Sequence, residues 1–129
     1  MKLKITLWLS LFVFTLHNIE ECLTMRDFYL NHSDAIPAFA RRFTQPVQDN
    51  VFLMMILLIT LAGIVLLAVG TRNKNMFWAM VWVSGGILAN GLHHIALSLF
   101  FFAYTPGAAT SVTLLLPYSI FLFVKMHAG

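Results

Sequence analysis

Charge is what this chain has least of. Its 129 residues include 8 Lys or Arg and 5 Asp or Glu, 10% in all, where a water-soluble domain carries about 25%. Apolar residues make up 60%. That balance excludes an ordinary soluble globule and a disordered chain. Cysteine is nearly absent as well. The lone Cys22 excludes an internal disulfide framework and is expected to pack as a small apolar residue rather than serve as a nucleophile. No basic patch with interleaved aromatics is present, so nucleic acid is not an expected partner, and the net charge of +3 is expected to reflect topology. The length leaves room for one domain, 1–129, so any chemistry has to be built among the helices themselves.

What is there is long apolar runs. Residues 5–19 and 50–71 carry no charge, and 75–124 form an uncharged run long enough for two spans and a turn. Tyr104-Thr105-Pro106-Gly107 supplies that turn, since Pro cannot donate the N–H that a continuing helix needs. Backbone polar groups in lipid must be satisfied internally, so these runs read as helices. The expected fold is all-α: a polytopic membrane four-helix bundle with spans near 5–23, 51–69, 76–102 and 108–124. Lys2 and Lys4 before an apolar stretch also fit a signal peptide. His17-Asn18-Ile19-Glu20-Glu21 offers no small-residue cleavage site, so the first span is expected to be a retained anchor.

Four spans place Lys2, Lys4, Arg72, Lys74 and Lys125 on one side, and Arg26, Arg41 and Arg42 on the other, offset by Asp27, Asp34 and Asp49. The bias predicts both termini in the cytoplasm. Trp78 and Trp82, one turn apart at the start of the third span, fit an interfacial position. In the first loop, Asp34 is expected to cap a short amphipathic segment in which Ile36, Phe39, Ala40 and Phe43 share a face, ended by Pro46. Ser84, Gly85, Gly86, Ala89 and Gly91 are expected to form a small-residue packing face, and Pro117 to kink the fourth span. His32 and His127 are expected to be solvated.

Ionisable residues inside a span are costly and point to function. His17, Glu20 and Glu21 are spaced i, i+3, i+4 in the first span, and Asn90, His93 and His94 repeat that spacing in the third. Each triplet falls in a helix sector of roughly 100°. Spans one and three run parallel, so depth is comparable. At about 1.5 Å per residue, Lys4 to His17 through Glu21 covers roughly 20 to 26 Å, and Lys74 to Asn90 through His94 roughly 24 to 30 Å. If the faces meet, imidazoles, a carboxamide and two carboxylates converge near the Tyr104 turn, with Thr110 and Ser111 at the same end. Alternatively the glutamates simply reach the headgroup region and His17 packs.

A convergent set suits two chemistries. Imidazole and carboxylate are ligands for zinc or iron, a divalent metal that activates water for hydrolysis. The metal-free alternative is acid/base chemistry by two carboxylates near imidazoles. The expected substrate is a lipophilic small molecule, with the lipid bilayer as surroundings. The assigned catalytic set is His17, Glu20, Glu21, Asn90, His94 and Tyr104. The metal is assigned to His17, His94 and one of Glu20 and Glu21, with the other glutamate as general base. The competing class is a non-enzymatic membrane protein, a proton-coupled carrier subunit or a helix-packing partner.

His17-Asn18-Ile19-Glu20-Glu21 resembles the motif of a small bacterial membrane-protein family named for HXXEE. That family's further histidine, preceding asparagine and YXPG turn resemble His94, Asn90 and Tyr104 to Gly107, with Thr110 after the turn. His93 and His94 compete for the histidine position, and the steps from Asn90 and to Tyr104 favour His94. The resemblance implies a four-helix integral protein of the bacterial inner membrane, uncharacterised in function and suspected to be an enzyme.

Overall fold

A computed structural model describes residues 3–38, 49–72 and 76–128. The described residues fold as helices: α1 (Leu3–His32), α2 (Asp49–Arg72), α3 (Met76–Phe101) and α4 (Ala108–His127). Within α4, the turn Ala108–Thr110 passes into a π-helical stretch, Ser111–Leu115, and then into regular helix, Leu116–His127. Three helices are long and apolar enough to cross a membrane: Leu53–Arg72, Met76–Phe101 and Ala108–His127. The amphipathic segment expected around Phe39 to Phe43 lies outside the described residues. Asp34, its expected cap, sits within a 3-10 turn, Ser33–Ala35, that follows α1.

α1 turns several polar residues inward beside the buried Leu7 and Phe28. Thr6, Ser10, His17 and Asn18 are buried, while Phe12, Ile19, Leu23 and Leu30 are exposed. The helix runs on past Leu23 to His32, because no Pro or Gly interrupts it before Pro37. Near its end Phe28 and His32 stack, with centroids 4.6 Å apart, and Phe101 meets Phe28 edge-on. His32 is therefore packed rather than solvated.

α3 is built on a buried stripe, Met80, Ser84, Ile87, Gly91 and His94, recurring every three or four residues. Gly91 is the close-approach point. A Cβ there would meet Leu116 Cδ2 at 3.1 Å and Leu115 Cβ at 3.4 Å, so α3 and α4 come together at this level. Gly85 and Gly86 differ from expectation. A Cβ on either would meet nothing within 4 Å, because they point away from the α3–α4 contact. The packing face is thus carried by Ser84 and Gly91 rather than by the whole small-residue run. At the other end of α2, Gly70 approaches Ala79 so closely that a Cβ would stand 2.6 Å from the Ala79 Cβ.

The expected kink at Pro117 takes a specific form. The π-helical Ser111–Leu115 ends two residues before it, and widening the helix there accommodates a residue that cannot donate to the preceding turn. α3 ends at Phe101, and Phe102 after it adopts φ 48°, a left-handed conformation that stops the helix.

The apolar core gathers Leu7, Leu67, Met80, Ile87, Leu115 and Leu122. Hydroxyls inside the helices bond back to carbonyls of their own helix, Ser84 to Met80 and Thr71 to Leu67, each at 2.6 Å. The Tyr118 hydroxyl donates to the Thr6 carbonyl, which sets the middle of α4 beside the start of α1. The start of α4 then lies beside residues 17–21, so α1 and α3 run parallel and α4 runs against them. The polar residues collect at that second end.

Candidate functional site

His17 is fully buried at the centre of this end, 0% exposed, and its two ring nitrogens are held from two different helices. The Asn90 amide N–H of α3 donates to Nε2 at 3.2 Å, which makes Nε2 an acceptor. In a neutral imidazole the proton is then on Nδ1, which donates to Thr110 Oγ1 at 2.8 Å. Thr110 in turn donates to the Gly107 carbonyl at 3.4 Å. One chain of donors therefore runs from α3 through α1 to the turn before α4, and it fixes both the tautomer and the tilt of the ring.

His94 meets His17 edge-on, with ring centroids 4.7 Å apart. Glu21 lies against both rings: its Oε1 is 3.5 Å from His94 Nε2 and its Oε2 is 3.8 Å from His17 Nε2. One donor atom from each of His17, Glu21 and His94 falls within 4.8 Å of the others. His94 is 5% exposed, and its Nδ1 is buried with no hydrogen-bond partner among the described residues. Its backbone is anchored by Thr105, which donates to the His94 carbonyl at 3.2 Å and pairs with Ser98 at 2.6 Å. His93 is exposed, so of the two adjacent histidines it is His94 that enters the cluster.

Glu20 goes elsewhere. Its Oε1 accepts from the Tyr104 hydroxyl and from the Ala109 N–H at 3.1 Å, and its Oε2 accepts from the Thr110 N–H at 2.7 Å. Those amides are orphan donors at the start of a helix, the usual place for a carboxylate. Glu20 and Tyr104 thus form a tether beside the His17–Glu21–His94 cluster.

The turn between α3 and α4 closes over the cluster through Gly107. Its φ is +78°, and a Cβ there would stand 2.5 Å from His17 Cε1 and 3.0 Å from both Glu21 Cγ and His94 Cε1. Only glycine fits that approach. The roles of Gly107 and Thr110 are additions to the assigned set. Pro-Gly marks a turn in the sequence, but nothing in the spacing announces that Thr110 reaches His17.

The cluster opens onto a cleft of about 1430 Å³ between α1, α2 and α3. Asn18, Glu21, Asn90, His93, His94 and Thr105 are among its polar lining residues, and Leu11, Phe14, Ile59, Leu66, Trp82 and Val83 are among its apolar ones. Cys22 is a free, half-buried thiol and does not line the cleft.

The fold and this cluster define a class of small all-helical proteins in which an inward-turned His–Glu–His group is assembled from two parallel helices and sealed by a Pro-Gly turn. Within it, the chain belongs to the family of proteins of unknown function with an HXXEE motif, matched over residues 8–122. The motif is His17 to Glu21. No curated protein and no solved structure matches the chain.

Proposed function

We propose that this protein is a membrane-embedded enzyme, a four-span bundle with both termini cytoplasmic, whose centre is His17, Glu21 and His94 and whose substrate is lipophilic. Its outward surface supports the membrane setting. Leu57, Leu66, Trp82, Leu99 and Val112 are among many large apolar residues exposed around the helices, a surface suited to lipid rather than water. α1 completes the bundle as a fourth span because its polar residues turn inward.

The observation that carries the catalytic reading is the convergence of three ligating groups at the wall of a large apolar cleft. Two imidazoles and a carboxylate are a donor set for zinc or iron, and ligands at about 2.0–2.1 Å from such an ion stand little more than 3 Å apart. The 3.5 and 3.8 Å separations at Glu21 come near this. Thr110, on the far nitrogen of His17, has the place of an outer partner that orients a ligating imidazole. Asn90 shares the Nε2 lone pair and is the group that an arriving ion displaces. A bound divalent ion would supply Lewis acidity to polarise a carbonyl and activate water. The residues hold and orient that centre, and the cleft excludes bulk water from it. The expected net reaction is hydrolysis, with water oxygen joining an acyl carbon, the acyl C–O bond breaking and a proton passing to the leaving oxygen.

The 3.5 Å approach of Glu21 to His94 also favours a second reading, proton exchange between these two groups in a metal-free isomerisation. Metal content separates the two. Purified protein is expected to hold about one zinc or iron per chain, lost in Glu21→Gln and His94→Ala together with turnover of a long-chain ester. Turnover without metal would establish the acid/base version. Absence of both would favour the non-enzymatic class, in which these residues relay protons or lock helices.

A further inference from the structure

The cleft has a direction. Its lining on α3 is a stripe, Trp78, Trp82, Gly86, Asn90 and His94, that runs along most of the helix. From Trp78 to His94 this is about 24 Å at the helical rise. The lower end is shut by the Gly70–Ala79 contact, and Phe28, Ile36 and Phe101 line the far end. Phe28 and Ile36 are themselves buried there. The side is open: Met55, Ile59, Leu66, Trp78 and Trp82 line the cleft yet are exposed by 50%, 51%, 68%, 59% and 77%. The mouth therefore faces sideways, between α2 and α3, and not toward either end of the bundle.

The polar wall lies toward one end of this cleft. A hydrocarbon core is about 30 Å thick, and His17 to Glu21 lie roughly 20 to 26 Å from Lys4 at the start of α1. The cluster is thus near the opposite interface, the level at which a lipid of that leaflet carries its polar linkages. The apolar stripe leads from there through the bilayer middle to Trp82 and Trp78 near the other interface, the line that a long extended chain would follow. At about 1430 Å³ the cleft also exceeds the roughly 300–1000 Å³ of ordinary small-molecule pockets.

We propose that the cleft seats one long-chain ester lipid, drawn sideways from the leaflet opposite the chain termini, with its chain along Gly86, Trp82 and Trp78 and its polar linkage at Glu21 and His94. The assignment rests on the reading of His17, Glu21 and His94 as the reacting centre, and it names that centre's substrate class. Gly86 is the selectivity position. It lines the cleft, and a Cβ there would meet nothing within 4 Å, so a side chain can start from this position into the chain's path. Gly85 is equally open but faces away from the cleft, which makes it the control.

The test uses the full chain in vesicles of phosphatidylethanolamine and phosphatidylglycerol, doped with a phosphatidylglycerol bearing a diazirine near the end of one acyl chain. Photolabelling, mapped by peptide mass spectrometry, is expected to concentrate on Trp78 to Val83 and Ile59 to Leu66. Gly86→Trp is expected to cut it about tenfold, equivalent to about 1.4 kcal/mol, and Gly85→Trp to leave it unchanged. Thermal unfolding of both variants checks that the bundle persists, and Gly86→Leu replaces the Trp variant if it does not. Label spread evenly over outward residues such as Leu99, Val112 and Ile120, indifferent to Gly86, would overturn the proposal. Labelling of the cleft without turnover would leave the lipid seat standing and remove the enzyme. Turnover of a short soluble ester with scattered label would do the reverse.

Discussion

Glu20 and Glu21 are neighbours on one helix face, yet the structure separates them by partner rather than by position. Glu20 accepts from a phenol and two backbone amides, whereas Glu21 faces two imidazoles. The link between them is Thr110, whose N–H is held by Glu20 and whose hydroxyl holds His17. Thr110→Val keeps the shape and removes the hydroxyl. It is expected to weaken metal binding about 10- to 100-fold, because an outer partner of a ligating imidazole is lost, while Thr110→Ser retains it. Competition titration with a chelator reads this, and unfolding should shift by only about 1 kcal/mol. Equal affinity in all three proteins would remove Thr110 from the site. Most of the site was legible at this scale, because polar residues are so few that the i, i+3, i+4 spacing of His17, Glu20 and Glu21 stood out against that of Asn90 and His94. Which glutamate joins the histidines was not legible, since both lie in one sector and their fates are decided by backbone amides of a turn 90 residues away. Thr110 itself carries no local signal.

At the scale of elements, the start of α4 is fastened to α1 by Glu20 and Tyr104. A carboxylate that accepts several hydrogen bonds contributes more than a neutral pair, about 1.5–3 kcal/mol for a bond to a charged group. Glu20→Ala is expected to destabilise the protein by at least about 2 kcal/mol, and Tyr104→Phe by about 1 kcal/mol, in unfolding monitored by circular dichroism in detergent. The double variant should cost less than the sum, since both remove one tether. Strict additivity would show that the Tyr104 hydroxyl and Glu20 act independently. The helices themselves were readable from gaps between charges, and the turn at Tyr104 to Gly107 from its Pro and Gly. The π-helical stretch was not, because Pro117 reports only a missing donor and leaves open how the chain absorbs it. Nor was the split of the small-residue run, for composition gives the size of Gly85 and Gly86 but not the face on which α4 lies.

For the molecule as a whole, the parallel course of α1 and α3 and the sideways mouth of the cleft carry meaning only with a direction across the membrane. Among the described residues, Lys4 at the start of α1, Arg72 at the end of α2 and Lys125 near the end of α4 share one end of the bundle, against Arg26 beyond the cluster at the other. Basic residues in short flanks are retained in the cytoplasm, so the His17–Glu21–His94 end is expected to face outward. With Cys22 replaced by Ser, a thiol placed at Asn31, an exposed position beyond the cluster, should react with a membrane-impermeant maleimide in intact cells. A thiol at His127, exposed at the other end, should react only after permeabilisation. The reverse pattern would invert the bundle, and with it the leaflet from which the cleft draws its lipid. Labelling of both positions in intact cells would mean that the two ends share a side, which helices of this length cannot achieve while spanning the bilayer as α1 and α4 are proposed to do.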